Sequence, residues 1–228
     1  MKNDIDWFPL EVSDDYRASD CIDEEEAQRI EDELYSETEM REGQDVQVWR
    51  WKANDLLHAE IYRNEVGQAH RDEDKGPAET FYNKQGKPYW WKFRKNGVMH
   101  RVNGPAEIYY CPSREGHDYK TWLNEGVEHR GNNKPSSVFV SHDTGEIEIR
   151  FHVHGKLDRA GDLPAWIDYS QGVRTHCYFT NGYQHRPYDA AEIETDLRTG
   201  ITKQSYWLWG NEYPGPPQKN HSIPTLDA

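Results

Sequence analysis

Short runs of alternating hydrophobic and polar residues recur along most of the chain. The segments AETFYN, AEIYYC, SSVFVS, AWIDYS and AEIETD each precede a short turn that contains glycine, and a second run such as PYWWKFR or IEIRFHV follows each turn. Period-two runs rich in Tyr, Trp, Ile and Val on either side of a short glycine turn are typical of antiparallel hairpins. The pattern therefore predicts a mainly β protein built from successive strand–turn–strand units.

One glycine recurs through the same region at intervals of 27 to 30 residues. The members of this series are Gly67, Gly97, Gly126, Gly155, Gly182 and Gly210. A fixed spacing in this range is the signature of a repeat architecture. We therefore expect an elongated, twisted antiparallel sheet of tandem β-hairpin repeats with a period of about 29 residues.

A histidine and an arginine follow most of these glycines. The pairs are His70 and Arg71, His100 and Arg101, His129 and Arg130, and His185 and Arg186. A residue that every unit repeats is best explained as one that every unit needs to fold. We expect the arginines to hold turns, by bonding carbonyls or by pairing with Glu79, Glu107 and Glu192. Anion binding is the alternative, because a guanidinium group is always charged and fits carboxylates and phosphates.

An aromatic residue stands four positions before each glycine of the series from the second onward. These residues are Phe93, Trp122, Phe151, Tyr178 and Tyr206. A lone hairpin is only marginally stable in water, so superposed rings are the candidate source of a common core.

The stretch GVMHRVNGPAE and its counterparts carry a G-x-x-H-R-x-x-G-P-A motif after a W-x-x-N-G-like turn. This motif resembles the MORN-like hairpin repeats (membrane occupation and recognition nexus) of YwqK-type antitoxin components and of many phage and giant-virus proteins. The resemblance covers the region between Gly67 and Gly210, and the units GVEHRGNNKPSS and GKLDRAGDLPAW depart from the motif. It implies a hairpin-repeat fold and a binding role without naming a chemistry.

The net charge of −14 is concentrated at the start of the chain. Residues 1–45 contain 17 acidic and 4 basic residues, whereas the rest of the chain is close to neutral. Ala27, Ile30 and Leu34 lie three and four positions apart in this segment, and Asp20 can serve as an N-cap. We therefore predict an acidic helix over Asp23–Met40 that caps one end of the sheet.

These patterns divide the chain into three parts. Residues 1–45 are an acidic N-terminal segment with the capping helix, residues 46–213 are the hairpin-repeat domain, and residues 214–228 are a flexible tail. The first hairpin, VQVWRWK and LLHAEIYR around an AND turn, has lost the repeat consensus, as terminal repeats often do.

The acidic segment is the main departure from a plain scaffold. A solvated acidic face is the usual explanation of such a run, but this charge can also steer association with a basic protein surface. The candidate partner-binding residues are Asp23, Glu24, Glu25, Glu26, Glu31, Asp32 and Glu33. Together with the resemblance, they predict a non-enzymatic, stoichiometric inhibitor of a host or toxin protein, encoded by a phage or a bacterium and needing no cofactor.

Two alternatives stay open. Rings and cations interleave, as in proteins that bind single-stranded nucleic acid, at Trp90, Trp91, Lys92, Arg94 and Lys95. The same sheet face could bind a small anion, whereas the near-neutral charge of the body argues against nucleic acid. An enzyme of unknown class is the second alternative, although the chain has no nucleophile elbow or phosphate-binding glycine loop.

Other classes of function have weaker signals. His152 and His154 alternate along one run, as a metal pair would, but no third ligand lies nearby in sequence, so we expect no metal site. No stretch approaches the roughly 18 apolar residues of a membrane span, and the first residues do not form a signal peptide. We therefore expect a cytoplasmic protein, in the host cytoplasm if a phage encodes it. An exposed sheet edge also allows a homodimer through strand pairing.

Overall fold

The computed structural model describes residues 33–111 and 116–215. Almost all of the regular structure in this part of the chain is β-strand. In chain order the strands are β1 (Leu34–Arg41), β2 (Gln44–Trp51), β3 (Leu57–Arg63), β4 (Glu79–Tyr82), β5 (Pro88–Lys92), β6 (Arg94–Lys95), β7 (Val98–Met99), β8 (Glu107–Tyr109), β9 (His117–Thr121), β10 (Leu123–Asn124), β11 (Val127–Glu128), β12 (Ser137–Ser141), β13 (Ile147–Arg150), β14 (His152–Val153), β15 (Lys156–Leu157), β16 (Trp166–Ser170), β17 (Val173–Cys177), β18 (Phe179–Thr180), β19 (Tyr183–Gln184), β20 (Glu192–Asp196), β21 (Thr202–Leu208) and β22 (Asn211–Tyr213).

Fourteen of these strands form one large sheet. Their order is β1-β2-β3-β4-β5-β8-β9-β12-β13-β16-β17-β20-β21-β22. Neighbouring strands pair antiparallel throughout, and strands close in sequence lie side by side because short connections join them. The prediction of a mainly β protein with an antiparallel sheet is confirmed.

Short two-stranded hairpins occupy the connections between the longer ones. They are β6–β7, β10–β11, β14–β15 and β18–β19. Two residues with positive φ form each turn, and the second is a glycine of the recurring series, as in Asn96 (φ 50°) and Gly97 (φ 81°). Two successive positive φ values define the type I′ turn, whose twist matches that of a tight hairpin. The connections between the long hairpins are therefore short hairpins themselves.

The main hydrophobic cluster lies on one face of the sheet, which we name the clamp face. Val138, Ile149 and Ile167 occupy one cross-strand row of β12, β13 and β16. Phe151 and Ala165 pack beside this row where the strands end. Because side chains alternate along a strand, the residues between these positions belong to the opposite face.

β1 occupies part of the segment for which a helix was predicted. The structure places Leu34–Arg41 in a strand that pairs with β2 along its whole length. The prediction of helix as far as Met40 is therefore wrong for these residues. Pairing with β2 and the packing of Leu34 against Trp51 outweigh the local helical spacing. Residues 23–32 of the predicted helix lie outside the described residues.

The two ends of the sheet differ. At the N-terminal end the hairpin without the repeat consensus is present as β2 and β3, with a register shift between Trp49 and Arg50. At the C-terminal end β22 pairs with the last part of β21, and residues 216–228 of the predicted tail lie outside the described residues. No helix of the described part of the chain is long and apolar enough to cross a membrane.

The packing of Trp122 against the main cluster generates a first prediction. Trp122→Ala removes ring contacts with the cluster and should lower the free energy of unfolding by about 3 to 5 kcal/mol. Urea denaturation followed by circular dichroism measures the change. Tyr188→Ala is the matched control, because Tyr188 is 92% exposed and its removal should be nearly neutral. Equal stability of the two variants would contradict the role of Trp122.

Candidate functional site

Each arginine of the recurring pairs, and Arg159 at the equivalent position of a further unit, lies over an aromatic ring on the clamp face. The guanidinium carbon is 3.6–3.9 Å from the ring centroid for Arg71 over Tyr62, Arg101 over Phe93, Arg130 over Trp122, Arg159 over Phe151 and Arg186 over Tyr178. At this distance the ring quadrupole attracts the cation, and the cation covers the ring. Four of the five rings expected to form the core are thus covered by arginines, whereas Tyr206 contacts Tyr213 instead. Tyr62 is a further covered ring that the sequence did not reveal.

The same arginines hold the start of the next long hairpin. In each case Nη1 donates to a carbonyl at 3.0–3.5 Å, and the acceptors are Pro77, Pro105, Pro135, Pro164 and Ala190. The residue after each acceptor is a fully buried alanine or serine. Among the carboxylates suggested as partners, Glu79 lies 2.6 Å from Arg94 Nε, while Glu107 and Glu192 accept hydrogen bonds from other side chains. The arginines of the pairs therefore hold carbonyls rather than these carboxylates.

Each histidine of the pairs accepts a hydrogen bond from the next tight turn. The acceptor is Nδ1, and the backbone donor lies 3.1–3.3 Å away, for His70 with Asn96, His100 with Glu125, His129 with His154 and His185 with Trp209. Asp158 takes the same place before Arg159, and its Oδ2 accepts from the Asn181 backbone at 3.1 Å. The position therefore requires a hydrogen-bond acceptor, which an imidazole or a carboxylate can supply.

Some of these arginines also hold a carboxylate on the edge that faces away from the carbonyl. Arg186 Nε and Nη2 donate to the two oxygens of Asp162 at 2.8 Å, and these hydrogen bonds raise the pKa of Arg186. Arg71 Nη2 donates to Glu42 at 3.1 Å. Burial, in contrast, lowers the pKa of Arg130.

His152 and His154 do not form the metal pair considered from the sequence. His152 Nδ1 lies 2.8 Å from Ser136 Oγ and 2.7 Å from Glu128 Oε2, whereas His154 sits in a tight turn and stacks on His129 at 4.5 Å between ring centroids. A serine–histidine–acid relay needs the serine and the acid on different ring nitrogens, so Ser136, His152 and Glu128 are not one. The described residues contain no group of three ligands that could hold a metal ion.

A row of rings crosses five adjacent strands on the face opposite the clamp face. This aromatic row consists of Phe81, Trp90, Tyr109, Tyr119 and Phe139, which are cross-strand partners in that order. Neighbouring centroids from Phe81 to Tyr119 are 4.9, 5.8 and 5.2 Å apart, and His117 contacts Phe139 at 4.9 Å. Cross-strand aromatic pairs of this kind stabilise a sheet and also offer a broad apolar contact area.

Charged side chains fix the orientation of the aromatic row. Glu107 Oε1 accepts hydrogen bonds from Trp90 Nε1 and from the Tyr119 hydroxyl, both at 3.0 Å. Burial and this carboxylate raise the pKa of Tyr119. Lys92 Nζ lies 3.6 Å from the centroid of Trp90, and burial lowers the pKa of Lys92 although Glu79 and Glu107 oppose the shift. These contacts therefore hold the rings in fixed orientations.

Carboxylates continue the same row beyond Phe139. The acidic row consists of Glu148, Asp168 and Glu194, and Thr175 stands between the last two. Nearby Cys177 is 3% exposed, and burial together with Glu192, Asp168 and Glu194 raises its pKa to about 12. Arg150 and Lys203 balance part of this charge through ion pairs with Glu148 and Glu194.

The structure separates several residues that the sequence grouped together. Trp90 belongs to the aromatic row, whereas Trp91 pairs with Ile108 and contacts Tyr110 on the clamp face. Arg94 binds Glu79, and Lys95 is an exposed residue of a short hairpin. Of the acidic candidates only Glu33 is described, as an exposed residue before β1, and Asp23, Glu24, Glu25, Glu26, Glu31 and Asp32 lie outside the described residues.

The aromatic row was missed as a unit because its five members come from five different strands. Alternation within each strand marks which residues share a face, but the register between strands decides which ones become neighbours.

Comparison with known proteins adds no family to this picture. The chain matches no protein-family model, and no curated protein matches it significantly.

The hydrogen bond between His70 and the following turn generates a second prediction. His70→Ala leaves the Asn96 N–H without its acceptor and should lower the free energy of unfolding by about 1 kcal/mol. His70→Asp should be closer to the natural protein, because Asp158 accepts from the same kind of Asn-Gly turn. Urea denaturation at neutral pH compares the two variants. Equal destabilisation by alanine and aspartate would show that the acceptor is irrelevant.

Cys177 provides a third prediction. Because its pKa is raised to about 12, the thiol stays protonated at mildly alkaline pH and should react with iodoacetamide far more slowly in the folded protein than in concentrated urea. Mass spectrometry of the Cys177 peptide measures both rates. Asp168→Asn should lower this pKa and accelerate the folded-state reaction. The same rate in folded and unfolded protein would refute the assignment.

Proposed function

We propose that this chain is a non-enzymatic, protein-binding scaffold on which a protein with a basic surface docks along the aromatic and acidic rows. The observation that carries the proposal is the continuous series of ring contacts across five adjacent strands. The recurring histidines and arginines are mostly engaged in contacts between hairpins. The aromatic row instead interrupts the regular pattern of its face, and such a departure is where a repeat scaffold gains specificity.

The chemistry of the two rows fits a basic polypeptide. Tyr and Trp side chains dominate the binding energy of many protein interfaces, because they bury a large area at a low entropic cost. Their ring faces also attract lysine and arginine. Glu148 and Asp168 add negative charge at one end of the contact area. A partner with apolar and cationic side chains would therefore meet complementary groups along the whole row.

The N-terminal acidic segment is proposed to steer this association. It contains 17 acidic and only 4 basic residues. The resulting negative electrostatic field would accelerate its encounter with a basic protein surface. A protein that covers a basic surface blocks whatever that surface normally binds. We therefore propose a stoichiometric inhibitor of a host or toxin protein, encoded by a phage or a bacterium and acting in the cytoplasm, in keeping with the resemblance to antitoxin components.

We also propose that the hairpins form an elongated, twisted tandem array of MORN-like units with a period of about 29 residues. Support comes from the contacts that recur from unit to unit. An arginine lies over a ring and donates to a carbonyl five times along the chain, with similar distances each time.

Single-stranded nucleic acid is the second candidate ligand. The aromatic row favours it, because bases stack on rings without regard to sequence. The carboxylates of Glu107, Glu148 and Asp168 oppose it, because they would repel the phosphates of a strand lying along the row. No contact among the described residues favours an enzyme.

The aromatic row generates a fourth prediction. Phage-infected or uninfected bacterial lysate is passed over the immobilised full chain, over a Tyr109→Ala/Phe139→Ala variant and over a Tyr188→Ala control. We expect the full chain and the control to capture one protein in stoichiometric amount, and the row variant to lose it. Removing a hot-spot ring costs about 2 kcal/mol or more of binding free energy, which weakens Kd roughly 30-fold. Unchanged circular dichroism would show that the variant is folded. Equal capture by all three proteins, or capture of nucleic acid, would refute the proposal.

The acidic segment is tested separately by a fifth prediction. Glu24, Glu25, Glu26, Glu31 and Glu33 are replaced together by glutamine. Association with the captured partner should become slower and less dependent on salt, while dissociation and the circular dichroism spectrum change little. Stopped-flow or surface-based kinetics at several ionic strengths measure this effect. An unaltered association rate would remove the steering role without affecting the aromatic row.

A further inference from the structure

The contacts of Arg186 define what the outward edge of a ring-stacked arginine holds in this fold. Its Nη1 donates to the Ala190 carbonyl at 3.1 Å, and its Nε and Nη2 donate to Asp162 at 2.8 Å each. One edge of the planar group therefore binds the backbone of the next hairpin, and the other edge binds both oxygens of a carboxylate. Two parallel bonds of this kind are the strongest contact that a guanidinium group makes with an oxyanion.

Arg130 has the same inner contacts but lacks the carboxylate. It lies 3.8 Å from the centroid of Trp122, and its Nη1 donates to the Pro135 carbonyl at 3.0 Å. Within the described residues, no carboxylate contacts its Nε or Nη2. The side chain is only partly buried, and neither Nε nor Nη2 is among the buried polar atoms without a partner, so this edge is open to solvent. The ring and the carbonyl hold the guanidinium group in place, and its Nε and Nη2 donors point away from both contacts.

The sequence explains why this arginine differs from Arg186. An acid follows the recurring glycine by six positions at Glu73, whose charge acts on Arg101, and by seven positions at Asp162. The corresponding residue before Arg130 is Asn103, and its side-chain amide donates to Glu73 at 2.6 Å. A neutral amide that is already bonded to another group cannot replace a carboxylate on Arg130.

We propose that Arg130 is an oxyanion-binding site, in which the Nε and Nη2 groups take two oxygens of a carboxylate or a phosphate group. The ring and the carbonyl hold the guanidinium group in place, so little side-chain entropy is lost when an anion binds. Partial burial strengthens the electrostatic attraction. The site lies on the clamp face, and it depends neither on the aromatic row nor on the proposed inhibitory function.

The two sources of such an oxyanion are an acidic side chain of another protein and a phosphate group. Both offer two oxygens at a spacing that suits the arginine fork. Acetate represents the first source in solution, and inorganic phosphate represents the second. A saturable response to acetate assigns the site to carboxylates, and a response to phosphate alone assigns it to phosphate groups.

The test is a nuclear magnetic resonance titration of the full chain. The Nε–Hε signals of the arginines are followed in ¹⁵N-labelled protein while acetate or phosphate replaces chloride at constant ionic strength. We expect a saturating shift of the Arg130 signal and only a small, linear drift of the Arg186 signal. A linear drift of equal size at both arginines with both anions would overturn the proposal.

Asp162→Asn is the matched variant, because it recreates at Arg186 the situation of Arg130. Asp162 is an exposed residue, so the exchange should leave the fold intact, and circular dichroism checks this. We expect the variant to gain a saturating response at Arg186 while that of Arg130 is unchanged. Arg130→Lys provides the converse control, since a lysine keeps the charge but loses the two-point contact. We expect phosphate or acetate to raise the melting temperature of the natural protein, and this increase should be absent from the Arg130→Lys variant.

Discussion

The contact between an arginine, an aromatic ring and a carbonyl is the interaction on which the rest of the structure depends. The chain has few aliphatic residues, and its main cluster is small. Each ring lies at the end of a long strand, and the arginine that covers it also binds the first residues of the next long hairpin. One side chain therefore closes the apolar end of one hairpin and positions the following one. Hairpins that would be marginal alone become a continuous sheet.

The histidine contact joins each unit to the tight turn of the next one. An acceptor that precedes each arginine receives the N–H of the next turn, and that turn has a left-handed backbone at two successive residues. Such a turn is strained for most residues, so an external acceptor helps to hold it. Asp158 supplies the same bond where a histidine is missing, which means that the position needs a hydrogen-bond acceptor and not an imidazole. The recurrence of histidine is therefore no indication of acid–base chemistry.

Periodicity made most of the sheet predictable, and its limits are equally physical. The alternating runs located the long strands, and the glycine series located the tight turns, because only a few residues tolerate positive φ. The helix was predicted wrongly over Leu34–Met40, because the spacing of apolar residues up to Leu34 does not reveal that the following residues pair with β2. The aromatic row and the bare edge of Arg130 depend on register and on contacts between units, which a single sequence does not contain.

The two faces of the sheet differ in how far the effect of a substitution spreads. On the clamp face each ring, arginine and small residue touches the next hairpin, so a substitution there disturbs two units at once. On the opposite face a side chain mainly meets its cross-strand neighbours, and it can change from a ring at Phe139 to a carboxylate at Glu148 between adjacent strands. Substitutions on that face therefore leave intact the contacts that join one hairpin to the next. Arg130 lies on the clamp face as well, and it keeps the ring and carbonyl contacts that build the sheet although no carboxylate of the described residues binds its outer edge.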